Sequence, residues 1–474
     1  MAISKRLWPA VGGWLVFMAS AATLTATIVA RAPLLPMHEL HEYHLFDELR
    51  AYRFFDLKIY RRAAEIVSHG RPLYATKLKH GLGFTYPPLA VLMFFTLRWL
   101  SVRGDELAVT IVNLALVAVI AHVALRLRRP SAQHARPWSR DARRRPQLMT
   151  AGWLAAAVAI WAEPIFSTLG YGQIDLLIAA CVVVDLVYGS RSRAGGIGIG
   201  LAAALKLTPL VFIPYLALTG RGRMALRALA AFAVSIGVAL VVVPRDARSY
   251  WLGGKFMDLS RVTGRTHLAG SGAANQSLRG TLLRLLPSTS HLTVIWLLAC
   301  AAVAAVGLLL AVRAARRGDE AWGFMLVAVT GLLICPISWT HHWTIAVAGV
   351  IALVASRGRP VLRSLRSLVA IAFALGSSAI WIVIMLGPGH HPGATALVLG
   401  NLYVFAGLGV IATAAALDLR HVAGGRARAR RRVSVGPLVP AARAPAFAAP
   451  GHPGGPVRTI TTSQALAPDR QSLR

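Results

Sequence analysis

Residues 291–317 read HLTVIWLLACAAVAAVGLLLAVRAARR. No charged side chain interrupts Leu292 to Val312, and Arg313, Arg316 and Arg317 follow at once. An apolar run of this kind meets the roughly 20 residues that a helix needs to cross a bilayer core. Within that core every backbone polar group must be satisfied internally, which a helix does by itself. The arginines at its end read as a cytoplasmic flank.

The same pattern repeats outward in both directions. Apolar segments occur near 8–30, 86–100, 106–127, 149–169, 173–189, 196–219, 224–243, 321–337, 340–356, 364–387 and 396–418. The chain therefore reads as an all-α polytopic membrane protein. Its 474 residues are 56% hydrophobic and only 15% charged, with mean hydropathy +0.58. A soluble chain carries about a quarter charged residues. A soluble enzyme, a disulfide scaffold and a mostly disordered protein are excluded on that ground. The segment starting at Leu7 is too long for a signal-peptide core and reads as a first transmembrane helix. Cys181, Cys300 and Cys335 all lie in apolar runs and form no zinc or disulfide pattern.

The net charge is +33. In a soluble protein that would suggest nucleic acid. Here the basic residues sit between apolar runs and at the C-terminus, where topology and anionic headgroups account for them. No nucleic-acid partner is expected. Arg126–Arg145, Arg191–Arg193, Arg221–Arg227, Arg313–Arg317, Arg357–Arg366 and Arg426–Arg432 mark one side as cytoplasmic. The linkers 31–85, 170–173, 244–290, 338–341 and 388–395 then face the other. From residue 128 the alternation works if 196–219 is two short helices broken at Lys206-Leu207-Thr208-Pro209. It fails once, because 86–100 and 106–127 cannot both cross.

The domain expectation is a membrane domain over 1–419, with about 11–13 segments, and a disordered basic cytoplasmic tail over 420–474. Two extracytoplasmic loops, about 31–85 and 244–290, are long for a bundle, and long loops are usually functional or disordered. The first contains an amphipathic helix. Ile59, Ala63, Ile66 and Val67 share one face, while Lys58, Arg61, Arg62 and Glu65 take the other, which fits a helix lying on the membrane surface.

Acidic residues are few, so each one near the membrane is informative. Asp56 opens the surface helix, as a helix-dipole charge or as a carboxylate whose partial desolvation makes it a better base. Tyr86-Pro87-Pro88 starts an apolar helix at the same interface. Glu163 lies in an apolar run before Pro164, either in a hydrogen-bonded helix cluster or lining a cavity. Tyr171-Gly172-Gln173-Ile174-Asp175 and Lys206-Leu207-Thr208-Pro209 break further runs. Lys206 either snorkels or meets a phosphate. Asn275, Gln276 and Arg279 put amides beside a guanidinium in the second loop, and Asn275-Gln276-Ser277 also matches a glycosylation acceptor. Ser338-Trp339-Thr340-His341-His342-Trp343 is the sharpest cluster. Interfacial tryptophan is ordinary, whereas paired histidines between two tryptophans suggest a base or a phosphate partner. His38, His41 and His44 meet no established metal-ligand spacing, so no metal is expected.

These motifs together resemble glycosyltransferase family 87, the polyprenyl-phosphate-sugar-dependent enzymes. The resemblance runs in order through Phe-Asp-Leu-x-x-Tyr at 55–60, Phe-Thr-Tyr-Pro-Pro at 84–88, Ile-Trp-x-Glu-Pro at 160–164 and Tyr-Gly-Gln-Ile at 171–174. It continues through Lys-Leu-Thr-Pro at 206–209, Asn-Gln-Ser-x-Arg-Gly at 275–280 and Pro-Ile-Ser-Trp-Thr-His-His-Trp at 336–343. It implies a GT-C-type multi-helix bundle in the plasma membrane with an extracytoplasmic active site. It further implies a polyprenyl-phosphate donor of mannose, or of another hexose or pentose, a glycolipid or lipoglycan acceptor, an α-(1→2) product and no cofactor. Asp56 aligns with the family's essential aspartate.

Turning a β-linked phosphosugar into an α-glycoside takes one inverting displacement and one base. Asp56 is assigned as that base, with His341 its rival. Arg279, Lys206 and His342 are candidates for the phosphate. Tyr86, Glu163, Tyr171, Gln173, Asn275 and Gln276 are candidates for sugar hydroxyls. A nucleotide-sugar donor is disfavoured, because the site faces away from the cytoplasm and lacks a diphosphate–metal carboxylate pair. The alternative is a transporter or flippase of lipid-linked sugars, which predicts inverted repeats that the sequence does not display.

Overall fold

The computed structural model describes residues 8–29, 53–78, 83–127, 145–259, 273–286, 290–355, 397–398 and 400–434. The His38–His44 stretch, the apolar run at 364–387 and everything beyond Ser434 lie outside these residues. The helices, in chain order, are α1 (Trp8–Val29), α2 (Phe55–Ser68), α3 (Pro88–Phe94), α4 (Val102–Ala124), α5 (Arg145–Ala159), α6 (Glu163–Tyr171), α7 (Asp175–Tyr188) and α8 (Ile197–Leu205). They continue with α9 (Phe212–Leu218), α10 (Gly222–Val242), α11 (Pro244–Trp251), α12 (Leu278–Leu285), α13 (Leu292–Arg316), α14 (Glu320–Ile334), α15 (Thr344–Ala355) and α16 (Leu402–Ser434). Among the described residues there is no strand, only one isolated bridge between Asn275 and Trp339. The chain is an all-α, multi-pass membrane protein.

Five helices, within α1, α4, α10, α13 and α16, are long and apolar enough to cross a membrane. The pair α5–α6 makes a sixth span if counted as one, bent by 70°. The break falls where Glu163 and Pro164 open α6, since proline suits a first turn and cannot continue the preceding ladder. The other apolar runs within the described residues appear as short helices. The 196–219 run breaks at Lys206 as expected. Its second half begins with the 3-10 turn Thr208–Val211, with Pro209 inside it.

Of the two segments at 86–127, one alone, α4, is long and apolar enough to cross a membrane. Pro88–Arg98 is a short helix with a 3-10 end, packed beneath α2. There Tyr60 stacks on Phe94 with ring centroids 4.0 Å apart. The apolar face of α2 therefore lies on protein: Leu57, Tyr60, Ala63, Ala64 and Ile66 are all buried. Its polar face is also tied down. Arg61 donates to the carbonyls of Leu97 at 2.7 Å and Leu100 at 3.2 Å and pairs with the buried Asp105 of α4. A carboxylate in the first turn of α4 also suits the helix dipole.

The basic linkers gather at one end of the bundle. Arg221 bonds Glu320 at 2.7 Å, Arg316 reaches the Leu218 carbonyl at 2.9 Å, and Arg227 reaches the carbonyls of Ser192 and Gly195 at 3.2 Å each. Arg313 and Arg317 share Asp418. Helices α7, α8 and α14 each have one terminus at this end. Their other termini carry Asp175, Lys206 and the Ser338–Trp343 turn. The molecule divides into two compact units, Met1–His421 and Val422–Arg474. Of the second, the described part is the continuation of α16 to Ser434, helical past the 420 boundary drawn from composition.

Candidate active site

The site is built where α2 crosses the turn between α6 and α7. Phe54 caps α2 in the left-handed region, with φ 50°. Its backbone N–H donates to the Gly170 carbonyl at 2.8 Å, which fixes Asp56 beside that turn. Gly172 closes α6 with φ +68°, and a Cβ there would sit 2.9 Å from Leu57 Cβ and 3.1 Å from Phe54 Cδ1. Both the dihedral and the close approach call for glycine. The next residue, Gln173, is buried and central.

Gln173 Oε1 accepts from the hydroxyls of Tyr60 at 2.5 Å and Tyr86 at 2.7 Å. Its Nε2 lies 3.2 Å from His341 Nε2, and its side chain also bonds Asp56. Tyr171 meets the His341 ring edge-on, with centroids 5.3 Å apart, and His341 and His342 are themselves T-shaped at 4.7 Å. The Lys206 ammonium donates to Asp175 Oδ1 at 2.6 Å and stands 5.8 Å from the Tyr86 ring centre. Asp56, Tyr86, Tyr171, Gln173, Lys206, His341 and His342, scattered along the sequence, thus form one connected cluster. Beside it a cavity of about 30 Å³ is lined by Asp175, Lys206, Thr208 and His342 on its polar side and by Phe212 and Leu332 among its apolar walls.

Burial governs the electrostatics. The Asp56 carboxyl is pushed up to about 7, mainly by desolvation; the Gln173 hydrogen bond and Lys206 pull it down, and Asp175 pushes it up. A carboxyl titrating there is matched to base catalysis near neutral pH. Burial also raises the Tyr60 phenol, with Tyr86 and Asp56 adding to it, so Tyr60 stays a neutral donor.

The histidine turn is held from two sides. On one, Gln276 N–H donates to the Ser338 carbonyl at 2.7 Å and Thr340 N–H to the Ala274 carbonyl at 3.1 Å. Asn275 Oδ1 accepts from Ser338 N–H at 3.0 Å. On the other, Glu163 accepts from Ser167 at 2.5 Å, Tyr403 at 2.6 Å and Thr340, and Thr168 donates to the His341 carbonyl at 3.2 Å.

The remaining sequence candidates take other places. Glu163 sits in a hydrogen-bonded helix cluster, one of its two sequence readings. The Gln276 amide donates to the Gly400 carbonyl at 2.7 Å and accepts from Tyr403 N–H at 3.1 Å, while Asn275 is fully buried and inaccessible to glycosylation. Both side chains are spent on backbone. Arg279 lies on α12, its guanidinium lowered by desolvation. Among the described residues its side chain makes no hydrogen bond to the cluster. Sequence reasoning missed Tyr60 and Asp175. A second ionisable residue in an apolar run, opposite in sign to Lys206, was the available signal for Asp175.

Asp175, His341 and His342 each offer a possible metal ligand, with the ligand atoms within 4.8 Å of one another. The donor set is already committed: Lys206 neutralises Asp175 and the Gln173 amide engages His341 Nε2. A cation there would compete with both.

Residues 84–338 match glycosyltransferase family 87. The polyprenol-phosphate-mannose-dependent alpha-(1-2)-phosphatidylinositol mannoside mannosyltransferase of Mycobacterium tuberculosis is 34% identical over 377 residues, which cover 76% of this chain and 84% of that protein. The protein of the same description from Mycolicibacterium smegmatis is 33% identical over 411 residues, 82% of this chain and 88% of that one. A pentamannoside mannosyltransferase of M. tuberculosis is 32% identical over 319 residues, 66% of this chain and 69% of its own length. No solved structure matches the chain.

Proposed function

The chain belongs to glycosyltransferase family 87, and from that premise we propose that it transfers a mannosyl residue from polyprenyl-phosphate mannose to a glycolipid acceptor, with inversion, forming an α-(1→2) linkage. The reaction takes place at the extracytoplasmic face of the plasma membrane. Phosphatidylinositol mannosides, the acceptors named for its relatives, are the acceptor class. The observation that carries the reading is the junction of Asp56 and His341 through Gln173.

Asp56 takes the proton of the acceptor hydroxyl as its oxygen attacks the anomeric carbon. The new C–O bond forms opposite the phosphate, and the bond from carbon to phosphate oxygen breaks. One displacement turns a β-phosphosugar into an α-glycoside. The leaving phosphate gains one negative charge, and preorganised donors offset it better than a proton would. Lys206 and His342, which line the polar side of the cavity, are our candidates for that role.

The position of the site at the end opposite the arginine-rich linkers supports the extracytoplasmic assignment. The test uses proteoliposomes with labelled polyprenyl-phosphate mannose and a panel of lipid acceptors, followed by linkage analysis. Label appearing in an α-(1→2)-mannosylated lipid is expected. Unmodified donor that only changes leaflet would establish a flippase instead.

A further inference from the structure

The contacts of Gln173 fix more than its own position. A carbonyl oxygen has two lone pairs, and the Tyr60 and Tyr86 hydroxyls, themselves 2.9 Å apart, both lie within hydrogen-bond distance of Oε1. The amide is therefore held one way round. Turned over, it would set a carbonyl against the Asp56 carboxylate, acceptor against acceptor. The NH2 group has two protons. One goes to His341 Nε2, which leaves the other for Asp56, whose carboxyl Gln173 pulls down. A ring nitrogen that accepts presents its lone pair, so His341 is the neutral imidazole with its proton on Nδ1. The backbone of Gln173 is pinned too. Its carbonyl accepts from Asn113 Nδ2 at 3.1 Å, and its N–H donates to the Thr168 carbonyl at 2.9 Å.

We propose that Gln173, clamped by Tyr60 and Tyr86, is a positioning residue that aims the Asp56 carboxylate and holds His341 in one neutral tautomer. The proposal rests on the reading of Asp56 as base. It also resolves the rivalry between the two candidates, because the His341 Nε2 lone pair that would accept a proton is already engaged. The charged and titratable groups that face Asp56 are Tyr60 on its own helix, Tyr86 before α3, Asp175 opening α7 and Lys206 after α8. Asp175 and Lys206 form an ion pair and act on Asp56 in opposite senses. Gln173 is the uncharged group that favours its ionised form.

The experiment compares the pH dependence of kcat and KM for the full-length protein and its Gln173→Met and Tyr60→Phe variants in proteoliposomes, with labelled polyprenyl-phosphate mannose. Methionine keeps the shape and removes the donors. The rising limb of kcat is expected to move to higher pH by about one unit in Gln173→Met, the worth of a hydrogen bond to a charged group, with the donor KM little changed. Tyr60→Phe frees the amide to turn and is expected to move the limb the same way by less. It retains the amide, so it carries the test if Gln173→Met does not fold. A limb that stays at its wild-type pH in the variant that folds overturns the proposal. So does a raised donor KM with an unmoved limb, which would make Gln173 a substrate ligand. A wild-type profile with no limb near neutral pH would remove Asp56 as base, and the proposal with it.

Discussion

The Lys206 ammonium rests 2.6 Å from Asp175 Oδ1, at the point where one apolar run breaks and another begins. Neither residue tolerates that environment alone, and each supplies the other's counter-charge. Asp175 Oδ2 has no hydrogen-bond partner among the described residues, so the carboxylate depends on its one cation.

Lys206→Met is therefore expected to cost more than Asp175→Asn. Removing one member of a buried pair leaves an uncompensated charge and costs about 3–5 kcal/mol. The double variant Lys206→Met/Asp175→Leu should recover stability but not transfer. Unfolding midpoints in detergent and transfer rates, measured for all three, check this. A single Lys206→Met variant as stable as the double would refute it.

Gly172→Ala is expected to lower both stability and turnover. The left-handed backbone opposes a side chain, a strain of about 1–3 kcal/mol, and the new Cβ would push on Leu57 of the helix that bears Asp56. The measurement is the thermal midpoint beside kcat. The drop in kcat should persist at temperatures where the variant is fully folded.

Asn275→Ala tests whether this side chain holds the histidine turn or binds sugar. It leaves the buried Ser338 N–H without its acceptor, a penalty of about 1–3 kcal/mol. The expected result is a lower unfolding midpoint with unchanged donor and acceptor KM. A raised KM at wild-type stability would assign it to the substrate.

Transfer should rise with pH through about 7, because the proposed base Asp56 acts as the carboxylate and its carboxyl is pushed up to about 7, chiefly by burial. The sign for stability is the reverse. The folded state binds this proton more tightly than the unfolded chain, so the favourable contribution is complete below the ordinary carboxyl value of 3.8 and is lost as pH rises through about 7. Asp56→Asn should lack that decline. Chemical denaturation of both proteins across the acid-to-neutral range separates the two curves.

The spans were legible because a long apolar run with an arginine flank fits a membrane crossing and little else. The broken helices at Pro164 and Lys206 were legible from proline beside an ionisable residue in an apolar run. Most of the candidate cluster was legible as isolated motifs, but its wiring was not. Tyr60 and Asp175 both lie inside or beside those motifs, yet nothing local says that Tyr60 reaches Gln173, a contact spanning 113 positions. The backbone contacts of Asn275 and Gln276 were hidden for the same reason. A loop amide that binds sugar and one that binds a distant backbone look alike until the chain folds. The apolar face of α2 reads as lipid-facing from sequence because its partner, the short helix at 88–98, itself reads as a span.

The most direct test of the whole account is transfer by Asp56→Asn in proteoliposomes supplied with polyprenyl-phosphate mannose and a phosphatidylinositol mannoside acceptor. The account predicts a folded, inserted protein whose rate falls by at least the roughly 10²–10⁴-fold that a general base contributes. Transfer at near wild-type rate by this variant would contradict it.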